Sequence, residues 1–173
     1  PRNVVSAQPE NESYTPAVQL LTADRQYHGS HPTTSRRSGG DFHPRFQQGW
    51  AVAGRLDMQS TGLLVLTQSG RVARKILGTS RNDEDSLASS LKPLEKEYLV
   101  RVHPTARFDK SQSTERVLKR IRDGIMDNNE LLEVQSVERL ESNVLQFVLT
   151  QGRKHQIRRM CASLDLAVER LHR

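Results

Sequence analysis

Lys96-Glu97-Tyr98-Leu99-Val100-Arg101-Val102 places Tyr98, Val100 and Val102 on one side of an extended chain and Glu97, Leu99 and Arg101 on the other. A period of two is the signature of a strand with one face turned to a core. Downstream, residues 116–122 put Val117, Leu118 and Ile121 on one helical stripe, and Gly124 follows where helix ends favour glycine. Two more strands are expected around Leu131 to Val137 and Val144 to Thr150. A helix from Gln156 to Leu164 then carries Ile157, Met160, Cys161 and Leu164 on its inner face. Strands and helices do not alternate strictly. The sequence therefore predicts an α+β domain, a mixed and mainly antiparallel sheet with helices packed on it, rather than a doubly wound parallel fold.

Upstream, Ala51-Val52-Ala53 and Leu63-Leu64-Val65-Leu66 are short apolar runs bounded by glycines, which suits buried strands. They bracket Gly54-Arg55-Leu56-Asp57. Ser69-Gly70 makes a turn, after which Val72, Ala73, Ile76 and Leu77 recur at helical spacing as far as Gly78. The acidic, serine-rich stretch near 79–92 reads as a surface insertion closed by Pro93. Residues 1–48 read as an extended or disordered arm, because 22–48 is rich in Ser, Thr, Gly, Pro and Arg with few large apolar residues. The folded domain is expected to occupy 49–173. The chain opens on Pro1 rather than Met, which suggests that it begins inside a longer product.

Lys and Arg total 26 against 20 Asp and Glu, a formal net charge of +6 that favours a polyanionic partner. A hydrophobic fraction of 35% in 173 residues supports one ordinary core with a less packed remainder. The single cysteine, Cys161, excludes an intramolecular disulfide and a cysteine-cluster metal site, and points to an intracellular setting, in the cytoplasm or in an organelle such as a mitochondrion or plastid. No apolar run approaches the ~20 residues needed to cross a bilayer, so no membrane partner is expected.

Two places could carry chemistry. Asp57 stands where an apolar strand gives way to a loop, an address shared by reactive carboxylates and by turn aspartates that cap backbone N–H groups. Gln151-Gly152-Arg153-Lys154-His155-Gln156-Ile157-Arg158-Arg159-Met160 holds four cations and no acid. Cations in the first turn of a helix need an anion to balance them, either an incoming phosphate or a carboxylate from the chain. His155 lacks partners at ligand spacing, so no metal is expected. No glycine loop with Lys-Ser or Lys-Thr and no Gly-x-Ser-x-Gly elbow occurs.

Taken in order, four blocks resemble the motif series of the RsuA/RluB/RluE/RluF pseudouridine synthases. They are Gly54-Arg55-Leu56-Asp57 with Thr61-Gly62-Leu63-Leu64-Val65-Leu66-Thr67, then Lys96-Glu97-Tyr98-Leu99-Val100, then Gly152 to Met160, and last Leu171-His172-Arg173. They span Trp50 to Arg173. Relatives carry a Lys-Pro-x-Gly strand ahead of the first block and continue past the last, so the domain is expected to be incomplete at both ends, and no S4-like module is visible. The resemblance implies a pseudouridine synthase fold and isomerisation of uridine to pseudouridine in structured RNA. Ribosomal RNA is the foremost substrate, tRNA is a second, and ribosomal precursor particles are candidate partners. It also implies roles: Asp57 as the catalytic carboxylate, Tyr98 stacking on the target base, and Arg158 pairing with Asp57. Arg55, Arg153, Lys154, His155, Gln156 and Arg159 fall to RNA binding, and no cofactor is implied. A non-catalytic RNA-binding or ribosome-assembly protein on the same fold is the competing reading.

These groups suit such chemistry. Uracil can leave the sugar as a delocalised anion, so one carboxylate suffices where glycoside hydrolases need two. Asp57 would have to be ionised in a site closed by RNA, where desolvation raises its pKa and a nearby guanidinium lowers it. The uridine must also leave its stack, a cost of a few kcal/mol that an aromatic face offsets in part.

Overall fold

The computed structural model describes residues 4–6, 13–22, 49–77, 94–109, 113–150 and 152–173. The proposed insertion near 79–92 and residues 23–48 of the proposed arm lie outside them. The chain divides into two compact units, one of residues 1–58 with 64–73 and the other of residues 59–63 with 74–173.

In the first unit, β1 (Val4–Val5) pairs in parallel with β2 (Thr15–Pro16), and a single 3-10 turn follows at Ala17–Leu20. Part of the stretch read as an arm thus carries short regular structure. Strand β3 (Ala51–Val52) pairs antiparallel with β4 (Leu66–Thr67), Ala51 opposite Thr67 and Val52 opposite Leu66, and the Ala53 N–H extends the pair by donating to the Val65 carbonyl at 2.8 Å. The apolar run from Leu63 to Leu66 was expected to be a buried strand throughout, yet Leu63 is 69% exposed. The reason is that the Leu63 backbone pairs elsewhere, its N–H donating to the Arg173 carbonyl. Helix α1 (Gly70–Leu77) starts as expected, with Ser69 Oγ accepting from the Val72 N–H at 3.3 Å.

The second unit is a four-stranded antiparallel sheet with two helices. Its strands are β5 (Lys96–Pro104), β8 (Ser136–Glu141), β9 (Val144–Leu149) and β10 (Leu166–His172), in the order β10-β5-β9-β8. Between β5 and β8 lie α2 (Thr114–Arg122) and a hairpin of β6 (Ile125–Asp127) and β7 (Glu130–Leu132); α3 (Gln156–Ala162) joins β9 to β10. The mixed, mainly antiparallel α+β class expected from the sequence is the observed one.

Alternation decides which face of the sheet is buried. Val100 and Val102 of β5, Leu145, Phe147 and Leu149 of β9, and Val137 of β8 point into one core. Helix α2 adds Val117, Leu118 and Ile121, and α3 adds Ile157, Met160 and Cys161. Phe147, Ile121, Leu149 and Met160 are among the largest fully buried side chains, each stabilising the fold by about 1.5–3 kcal/mol. Ser113 caps α2 by accepting from the Arg116 N–H at 3.3 Å, and Gly124 ends it at φ +87, where a Cβ would be strained.

Two elements differ from the expectation. The single strand expected from Leu131 to Val137 is two shorter ones, β7 and the start of β8. The stretch before it folds back through Asn128 and Asn129, whose φ values of +50 and +60 suit a tight hairpin turn. Strand β10 was not read at all. A bulge between Val168 and Arg170 shifts its register against β5, so its apolar residues do not alternate cleanly.

Candidate active site

Asp57 belongs to the first unit, while Tyr98 and Arg158 belong to the second. Each is therefore built on its own support.

Asp57 is half-buried and follows a residue whose backbone is fixed at both ends. Ser6 Oγ donates to the Leu56 carbonyl and accepts from the Leu56 N–H, each at 2.8 Å. One hydroxyl thus satisfies both backbone groups of the residue before the carboxylate. Nothing local could have identified Ser6, which lies 50 residues away. Gly54, three residues ahead of Asp57, is buried at φ +100, a conformation that disfavours a side chain. Arg55 is exposed.

Tyr98 lies on β5 opposite Phe147 of β9, half-buried, and packs against the edge of the core. It shares its face with Val100 and Val102, as the alternation predicted.

Arg158 stands in the first turn of α3 and donates to two backbone carbonyls, Val168 at 3.4 Å and Gln59 at 3.1 Å. Its Nε is buried and makes no hydrogen bond among the described residues. The bond to Gln59 joins two motif blocks across 99 positions of sequence.

The remaining cations divide into those held by the chain and those turned to solvent. Arg159 donates through Nε to Asp127, at 2.7 Å to Glu130, and at 3.2 Å to the Asp127 carbonyl. Arg153 also donates to Glu130. Hydrogen bonding from Arg159, with the charges of Arg153 and Arg159 beside it, holds the Glu130 carboxyl below its usual range. The same contacts, with Glu130 first and Asp127 second, push Arg159 upward. Carboxylates of the β6–β7 hairpin thus balance Arg153 and Arg159 from within the chain. Sequence reasoning missed Asp127 and Glu130.

Gln156, expected among the RNA contacts, is buried at 4% exposure. Its amide is satisfied internally: Oε1 accepts from the Arg153 N–H at 2.9 Å, and Nε2 donates to the Glu133 carbonyl at 2.7 Å. Lys154 and His155 are exposed, and His155 leads into α3 with φ +53. Among the described residues no three His, Cys, Asp or Glu side chains are grouped as a metal would require. No helix among them is long and apolar enough to cross a membrane.

Known proteins resemble this chain in sequence and in fold. An uncharacterized RNA pseudouridine synthase of Borreliella burgdorferi is 26% identical over 130 residues, covering 75% of this chain and 45% of that protein. The ribosomal large subunit pseudouridine synthase B of Pseudomonas aeruginosa is 27% identical over 139 residues, covering 77% of this chain and 31% of its own. The chain thus spans less than half the length of these relatives. A crystal structure of a pseudouridylate synthase superposes with a TM-score of 0.65 at 22% identity, covering 99% of this chain and 57% of that one, a likeness of fold. The profile of the RNA pseudouridylate synthase family matches residues 28–163, which contain Asp57, Tyr98 and Arg158. The chain belongs to the RNA pseudouridylate synthase family.

Proposed function

We propose that this protein isomerises uridine to pseudouridine in structured RNA, with ribosomal RNA as the foremost substrate, Asp57 as the reactive carboxylate, Tyr98 as the stacking face and Arg158 as the cation that organises the carboxylate's segment. The observation that carries the reading is the hydrogen bond from Arg158 to the Gln59 carbonyl. Gln59 stands two residues after Asp57, so the arginine of the third motif block reaches the segment of the first.

The reaction conserves every atom of the nucleoside. The bond from the sugar C1′ to uracil N1 breaks, the base turns, and C1′ joins uracil C5, whose proton is released as N1 regains one. Asp57 either adds to C1′ or removes a neighbouring sugar proton, and its ionised form serves both routes. Tyr98, half-buried at the rim of a rigid sheet, offers a flipped base a fixed aromatic face. Exposed Lys154, with Arg55, suits phosphate contacts that give affinity and register without reading sequence.

The two named relatives are both pseudouridine synthases, and one acts on the large ribosomal subunit by its name, which supports RNA as the substrate class and ribosomal RNA within it. An rRNA substrate would place the protein in the compartment where its ribosomes are made.

The test is pseudouridine mapping in ribosomal RNA from cells lacking the gene, complemented with wild-type protein or with Asp57→Ala. The expected outcome is loss of one or a few pseudouridines, restored by wild type and not by the variant. Restoration by Asp57→Ala would overturn the assignment of the carboxylate. An unchanged pseudouridine map with impaired ribosome assembly would favour an RNA-binding role without chemistry.

A further inference from the structure

The segment after Asp57 is held by the end of β10 in a way the reaction chemistry does not require. Thr61 pairs in parallel with His172. The Thr61 N–H donates to the Leu171 carbonyl at 2.9 Å, the Arg173 N–H to the Thr61 carbonyl at 3.0 Å, and the Leu63 N–H to the Arg173 carbonyl at 3.0 Å. Side chains add to this ladder. Thr61 Oγ1 lies 2.9 Å from His172 Nδ1, the Arg173 guanidinium donates to the Leu63 carbonyl at 2.6 Å, and Arg158 donates to the Gln59 carbonyl at 3.1 Å. Gly62, at φ +124, lies so close that a Cβ there would fall on the Arg173 backbone.

Residues 61–63 are exposed, and exposed backbone groups are satisfied by water at little cost. Three backbone bonds and the side-chain bonds beside them nevertheless tie so short a segment to the end of β10 and to Arg158. Gln59 is only two residues from Asp57, a reach of at most roughly 7 Å along the chain. Restraint at 59–63 is therefore restraint on the backbone that carries the carboxylate.

We propose that Thr61, Gly62 and Arg173 are positioning residues that clamp the segment following Asp57 onto β10, with Arg158 as the upstream point of the same clamp. This rests on the pseudouridine synthase reading above. Arg158 then acts through the backbone of the segment as well as through its charge, and the Leu171-His172-Arg173 block has a purpose separate from RNA contact. A misplacement of the order of 1 Å in a reacting group can cost about 100-fold in rate, so the clamp should govern turnover rather than affinity.

The experiment uses the full-length protein and two readouts, amide hydrogen exchange at Thr61 and Leu63, and steady-state pseudouridine formation on a cognate RNA. Gly62→Ala is expected to raise exchange at both amides and to lower kcat by about 100-fold, with KM unchanged. Arg173→Ala should move both readouts in the same direction, and Arg173→Lys, which keeps a donor for the Leu63 carbonyl, should recover most of the loss. Wild-type kcat in both Gly62→Ala and Arg173→Ala would overturn the proposal, as would an Arg173→Ala defect confined to KM. Should Gly62→Ala fail to fold, the Arg173→Ala and Arg173→Lys pair decides alone. A wild-type protein that makes no pseudouridine overturns the activity and the positioning role together. Unprotected Thr61 and Leu63 amides in an active wild type would sink the clamp while leaving the activity standing.

Discussion

Glu130 accepts from two arginines on its two oxygens, Arg153 on one and Arg159 on the other, with 31% of its side chain exposed. Its folded pKa lies below the ordinary value of 4.5, so the carboxylate's contribution to stability is complete above that value and is lost as the pH falls through the folded pKa. Glu130→Gln is therefore expected to lower the thermal midpoint near pH 7 and to cost progressively less at a second, more acidic pH, as the folded carboxylate takes up its proton. Thermal unfolding followed at the two pH values checks this. An equal loss at both would mean that packing at Glu130, not its charge, holds the hairpin to α3. The same contact separates two residues that read alike in sequence: Arg159 is paired with carboxylates of the chain, whereas Lys154 is exposed.

Among the elements, the β6–β7 hairpin turns through Asn128 and Asn129, both with positive φ. Left-handed backbone costs a residue with a Cβ roughly 1–2 kcal/mol unless, like Asn, it can hydrogen-bond locally. Asn129→Ala should thus destabilise the protein by about 1 kcal/mol, while Asn129→Gly should stay within a few tenths. Denaturant unfolding of the two variants side by side measures the difference. This hairpin also shows where the sequence stopped being legible. Strand β5 and helices α2 and α3 were readable because Tyr98, Val100 and Val102, or Val117, Leu118 and Ile121, or Ile157, Met160 and Cys161, repeat at the period of their own element. Leu131 and Leu132 sit in a strand of three residues, too short to show a period, and β10 is broken by its bulge. At the site, Asp57, Tyr98 and Arg158 were recognisable only as an ordered set. Ser6, Asp127 and Glu130 work through partners 23 to 50 positions distant, a relation that no local pattern records.

For the whole molecule, a net charge of +6 makes RNA affinity a salt-dependent quantity. Lys154 is exposed in the basic block, so Lys154→Ala should weaken binding evenly across RNA sequences and reduce the slope of log K against log salt by about 1. Binding titrations across a salt series test it; an unchanged slope would remove Lys154 from the phosphate contacts. The order of strands, β10-β5-β9-β8, has a bearing on synthesis as well. Strand β5 is central, yet one of its two neighbours, β10, is encoded more than sixty residues later, Leu166 pairing with Pro104. A ribosome making this chain must release β5, α2, β8 and β9 before the strand that closes the sheet exists. Through that interval one edge of β5 offers unpaired N–H and C=O groups to any neighbouring chain. Contacts so distant in sequence also slow the final closure. The segment at 61–63 docks on residues 171–173, encoded 110 positions later, so a nascent chain carries that segment without these partners until the later stretch has been made.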